Sequence, residues 1–115
     1  METKQVLTAL AALAHETRLA VFRLLVETGP EGLPVGKIGE RLGLAPATLS
    51  FHLKELARAD LVTTRHKGRF IYCSANFAIM HGLVAYLTDN CCGAASTYVA
   101  VCEPEACRPT RKEPS

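Results

Sequence analysis

The chain of 115 residues has no apolar run approaching the roughly 20 residues that a membrane-spanning helix needs. Its start, Met-Glu-Thr-Lys-Gln-Val, lacks the basic opening and continuous apolar stretch of a secretory signal, so a cytoplasmic location is expected. Cysteine is missing from the first 72 residues, which leaves a disulfide framework nothing to staple there. Internal repeats are absent. No Ser/His/Asp or paired-carboxylate arrangement stands out, and an enzyme is not expected. With 49% hydrophobic and 21% charged residues, the composition is that of one soluble globular domain. It excludes a collagen, a wholly disordered chain and a multi-domain enzyme.

Net charge is only +2, but its distribution is uneven. Residues 34–74 carry seven basic side chains (Lys37, Arg41, Lys54, Arg58, Arg65, Lys67, Arg69) against three acidic ones, Glu40, Glu55 and Asp60. The flanking stretches, 1–33 and 75–115, each carry three basic and four acidic side chains. A positive middle between slightly negative ends is either a solvated charged face or a patch for a polyanion.

Hydrophobic spacing organises the chain. Val6, Leu7, Leu10, Ala11 and Leu13 predict a helix over 3–13, and Leu19, Phe22 and Val26 a stripe on a second helix over 16–27. Thr28-Gly29-Pro30-Glu31-Gly32 is a turn cluster. Pro34 suits the first turn of a short helix to Leu42 with the stripe Val35, Ile38 and Leu42. Gly43 stops it, and Pro46 opens a helix to about Ala59 with Leu49, Leu53 and Leu56 inward. Two short helices joined by a Gly-containing turn form a helix-turn-helix. Residues 61–65 and 69–73, rich in β-branched and aromatic side chains around His66-Lys67-Gly68, predict a β-hairpin. Asn76 caps a final helix to about Asn90, with Phe77, Met80, Val84 and Leu87 apolar and Leu83 alongside. The expected organisation is a domain over 1–92, mainly α with a small β-hairpin, and a loosely ordered tail over 93–115.

On a helical wheel, Ala47, Phe51, Lys54 and Arg58 point away from the leucine stripe, flanked by Thr48 and Ser50. Small residues let a helix enter a major groove, and hydroxyls bond base edges or phosphates. Phe51 suits a thymine methyl, and Lys54 and Arg58 suit phosphates. His52 lies nearer the core edge and serves either a phosphate or packing. The hairpin adds Arg65, His66, Lys67 and Arg69 within five residues. Each cation alone reads as a solvated charge. Together, a helix-turn-helix followed by a basic hairpin points to double-stranded DNA. A winged-helix module for protein contacts would lack that basic tip.

Three segments carry a family resemblance: Ala12-Leu13-Ala14-His15-Glu16-Thr17-Arg18-Leu19, then Leu49-Ser50-Phe51-His52-Leu53-Lys54-Glu55-Leu56, then Gly68-Arg69-Phe70-Ile71-Tyr72. They resemble the ArsR/SmtB family of metal- and metalloid-responsive repressors over about residues 5–92. The resemblance implies a winged helix-turn-helix homodimer, paired through its first and last helices, on an operator that is an imperfect inverted repeat.

Four of the five cysteines, Cys91, Cys92, Cys102 and Cys107, fall in the last 25 residues. Thiolates are soft ligands, and trivalent arsenic or antimony takes up to three of them in a pyramid. Four could instead form a tetrahedral zinc site, although structural zinc sites usually present Cys-x2–4-Cys pairs. A disulfide switch is a third reading, without a mark of a lowered thiolate pKa. Asn90-Cys91-Cys92 followed by a tail cysteine resembles the As(III)/Sb(III) responders whose site lies at the C-terminal end. That resemblance implies Cys91, Cys92 and Cys102 as ligands, with Cys107 as substitute or helper, and As(III) or Sb(III) as inducer of a ligand-released repressor. Cys73 is read as core, and His15 and His81 as surface or packing histidines.

Overall fold

In the computed structural model, which describes residues 1–90, helix α1 (Thr3–Leu13) starts where Gln5 Oε1 accepts the Glu2 N–H at 3.1 Å. Helix α2 (Glu16–Thr28) starts at His15, whose ring Nδ1 accepts the Thr17 N–H at 3.2 Å. Strand β1 (Leu33–Pro34) leads into α3 (Val35–Leu42), with Pro34 as the N-cap. Gly43 then takes a left-handed φ of +65° and ends α3, and Pro46 opens α4 (Pro46–Arg58). Strands β2 (Val62–Lys67) and β3 (Phe70–Ala75) follow, then α5 (Phe77–Thr88), where Asn76 Oδ1 accepts the Ile79 N–H at 3.3 Å. The chain groups into two units: residues 1–83, and the residues from 84 onward. No helix among the described residues is long and apolar enough to cross a membrane.

The sheet is antiparallel in the order β1-β3-β2. Lys67 pairs with Phe70, so Gly68-Arg69 is a two-residue turn, with Gly68 in the left-handed region (φ +62°). Leu33 pairs with Cys73, and Pro34 with Tyr72. Residue-pattern reading misses β1 because two residues show no alternation and Pro34 cannot donate to a ladder. Gly32, at φ +76°, makes this approach practicable: a Cβ there would collide with the Cys73 carbonyl.

The core of the first unit takes Val6, Ala9 and Ala12 from α1, Val21, Phe22 and Leu25 from α2, and Ile38 from α3. Leu49, Leu53 and Leu56 of α4 join Leu61, Val62, Cys73, Ala75 and Leu83. The inward leucine stripe of α4 is as its spacing predicts. One expectation is corrected. Leu19, read into the α2 stripe, is 44% exposed, because α2 turns Val21, Phe22 and Leu25 inward instead. In α1 Val6, Ala9 and Ala12 are buried, and Leu7 and Leu10 are left exposed. In α5 it is Leu83 that is buried, whereas Val84 and Leu87 are exposed.

Candidate nucleic-acid interface

Burying Leu49, Leu53 and Leu56 fixes the rotation of α4 about its axis. That rotation leaves Ala47, Thr48, Ser50, Phe51, Lys54 and Arg58 exposed. Phe51 is 54% exposed, a large apolar ring in a polar face. Lys54 has no ion-pair partner among the described residues, whereas Arg58 pairs with Glu55 at 3.1 Å within the same helix. A solvent-exposed pair of this kind is worth about 0–1 kcal/mol, so Arg58 can exchange it for a phosphate.

His52 differs from its neighbours. It is buried, and its Nδ1 accepts a 3.3 Å hydrogen bond from Arg18 Nε at the start of α2. The His15 ring lies 4.8 Å away, centroid to centroid. Burial first, and then the nearby His15 and Arg18 charges, hold His52 below the ordinary imidazole range. In this structure the ring therefore packs between two helices. The Arg18 guanidinium also stands over the Phe51 ring, 5.7 Å from its centroid. Arg18 is a residue that sequence reading passed over as a motif letter, since its partner lies 34 positions away.

The hairpin rises out of the core beyond Val62. Thr63 to Lys67 are exposed, as are Arg69, Phe70 and Ile71. Its cations are not equivalent. Arg65 Nη2 donates to the Glu31 carbonyl at 2.9 Å and the guanidinium lies 5.0 Å from the Tyr72 ring centroid, which ties the strand to the α2–β1 loop. The Lys67 ammonium is 5.8 Å from the same ring centroid, and His66 and Arg69 stand exposed at the tip.

Cys91, Cys92, Cys102 and Cys107 lie outside the described residues. Among the described residues no group of three or more His, Cys, Asp or Glu side chains is placed to hold a metal ion. Cys73 is fully buried, and burial pushes its thiol up to about 11. Burial and the raised pKa both disfavour the thiolate that soft-ion binding or redox attack requires.

A family model described as a helix-turn-helix domain matches residues 13–65. The transcriptional activator HlyU of Vibrio cholerae is 31% identical over 85 residues, which cover 74% of this chain and 76% of that protein. Its solved structure has a TM-score of 0.61 at 30% identity, covering 76% of this chain and 97% of that one. An ArsR-like transcriptional regulator from Rhodococcus sp. RHA1 has a TM-score of 0.65 at 25% identity, covering 73% of this chain and 76% of that one. The chain belongs to the ArsR/SmtB-type winged helix-turn-helix transcription regulators.

In this regulator α3 and α4 are accordingly the helix-turn-helix and β2–β3 is the wing. The uncharacterized HTH-type regulator YceK of Bacillus subtilis is 41% identical over 63 residues, covering 55% of this chain and 62% of that protein. The regulator thus spans just under two thirds of YceK. A homodimeric winged helix-turn-helix DNA-binding domain from Mycobacterium bovis, Mb0332, has a TM-score of 0.60 at 28% identity, covering 76% of this chain and 81% of that one.

Proposed function

We propose that this regulator is a metalloid-responsive repressor. A homodimer binds an imperfect inverted repeat in double-stranded operator DNA through α4 and the wing, and leaves it when trivalent arsenic or antimony is captured by Cys91, Cys92 and Cys102, with Cys107 as helper. The observation that carries the DNA reading is the outward face of α4, with small, hydroxyl, aromatic and cationic side chains exposed together, beside a wing whose tip stands clear of the core. Lys54, Arg58, Lys67 and Arg69 supply phosphate contacts, and Thr48, Ser50 and Phe51 address base edges. Homodimerisation is supported by the exposed Leu7 and Leu10 and by the homodimeric Mb0332 domain. Two α4 helices about 34 Å apart would meet successive major grooves on one side of a duplex.

The inducer reading rests on the donor set. Four thiols crowd the C-terminal quarter, and three suffice for a pyramidal trivalent metalloid. The buried Cys73 does not compete for it. A coupling free energy of about 1–3 kcal/mol between that capture and the DNA-binding geometry changes operator occupancy about five- to 150-fold. The test is fluorescence anisotropy of a labelled promoter fragment with fully reduced protein, titrated with arsenite and antimonite. Release by either, and its loss in Cys92→Ser/Cys102→Ser, is expected. Release by peroxide but by neither metalloid would instead assign the thiols to a disulfide switch.

A further inference from the structure

We propose that Arg18, which lies outside the helix-turn-helix, is a positioning residue for base recognition: held by the neutral ring of buried His52, its guanidinium fixes the exposed Phe51 ring in the attitude that meets a thymine methyl. This rests on the DNA-binding reading above and deepens it.

Arg18 Nε donates to His52 Nδ1 at 3.3 Å, the guanidinium stands 5.7 Å from the Phe51 centroid, and the Phe51 and His52 rings meet edge-on at 5.4 Å. An exposed phenylalanine otherwise samples several rotamers, and fixing it beforehand removes that entropic cost from binding. A guanidinium suits the task because it is flat enough to lie on a ring while its Nε–H points elsewhere. The clasp needs an acceptor at Nδ1, so it exists only while His52 is neutral, with its proton on Nε2. Protonation puts a donor opposite a donor and opens it. The charged and titratable groups around His52 are His15 and Arg18 at the start of α2. Glu55 and Arg58, further along α4, pair with each other, and α1 presents Thr8, Ala11 and Ala12 to that side. Buried Ile38 of α3 and Val62 of β2 complete the packing around α4. Burial, His15 and Arg18 are the influences that shift His52, and each disfavours its protonated form.

The test compares operators carrying thymine with the same operators carrying uracil, which removes the methyl and nothing else. Wild-type protein should lose about fourfold in affinity at the contacted base, the factor for burying one methylene-sized group. Phe51→Ala and Arg18→Met should each abolish that difference while still unfolding cooperatively, Arg18→Met at a lower temperature because it leaves the buried His52 Nδ1 without its donor. If Arg18→Met does not fold, Arg18→Lys carries the same expectation, because an ammonium has no flat face to stack. His52→Asn keeps an acceptor at the Nδ1 position but does not titrate. The wild-type thymine preference should therefore hold through the ordinary imidazole range and fade as pH falls below it, and that of His52→Asn should not fade. Arg18 variants that keep the full preference, a wild type without one, or identical pH profiles for wild type and His52→Asn would overturn the inference alone. A wild type without salt-dependent duplex binding would overturn the DNA-binding reading with it.

Discussion

Cys73 and His52 are both buried titratable side chains, and burial moves them toward opposite ends of the pH scale. The folded Cys73 thiol holds its proton to about 11, against about 9 when unfolded, so its contribution to stability is intact below 9 and is lost as pH rises between the two. The loss amounts to about 2–3 kcal/mol in full, readable from urea midpoints at about pH 8 and pH 11 for wild type and Cys73→Ala. Alkylation followed by peptide mapping should find Cys73 protected in the native protein. His52 is depressed, so its contribution is complete above the ordinary imidazole range and falls as pH drops from there toward its folded value. The acid limb of the stability profile should flatten in His52→Asn. Gly32 is the backbone counterpart. A left-handed φ and a Cβ collision with the Cys73 carbonyl act together, so Gly32→Ala should cost about 1–3 kcal/mol or more by thermal unfolding. Gly43 is also left-handed but has open space around its Cβ, so Gly43→Asn should cost much less.

At the scale of elements, the wing's cations differ in how they are held. Arg65 is tied to the Glu31 carbonyl and lies over Tyr72, so Arg65→Ala should lower the melting temperature. Arg69→Ala should leave it unchanged and weaken binding to all duplexes alike, reducing the salt slope by about one for each phosphate it no longer neutralises. Leu53→Ala, which empties part of the core under α4, should cost about 2–5 kcal/mol. The helix-turn-helix and the wing were legible in the residues because Gly43, Pro46 and the Leu49/Leu53/Leu56 stripe each specify one local conformation, and the same holds for the strands around Lys67-Gly68. The α2 stripe was not, since Leu19 and Leu25 lie on different faces and spacing alone does not say which face meets the sheet. The Arg18–His52–Phe51 clasp was not either, because it joins side chains brought together only by the packing of α2 on α4.

At the scale of the whole molecule, each of the two units exposes large apolar side chains among the described residues. Leu7 and Leu10 on α1 are exposed, and so are Val84 and Leu87 on the last helix. One small core does not use them, and burying them in a symmetric partner removes them from water. Light scattering should give twice the 12.4 kDa of the chain, and Leu7→Glu/Leu10→Glu should return it to the monomer value. A monomer presents one α4 and one wing, so the same variant should also lose its preference for an inverted repeat over a single half-site. The most direct measurement is the operator titration of the reduced wild-type dimer across a salt series, with and without antimonite. A steep linear fall of log affinity with log salt is expected, with release of the duplex at one metalloid per thiol site. Binding that ignores salt, or a complex that persists with the thiols occupied, would contradict the proposed function.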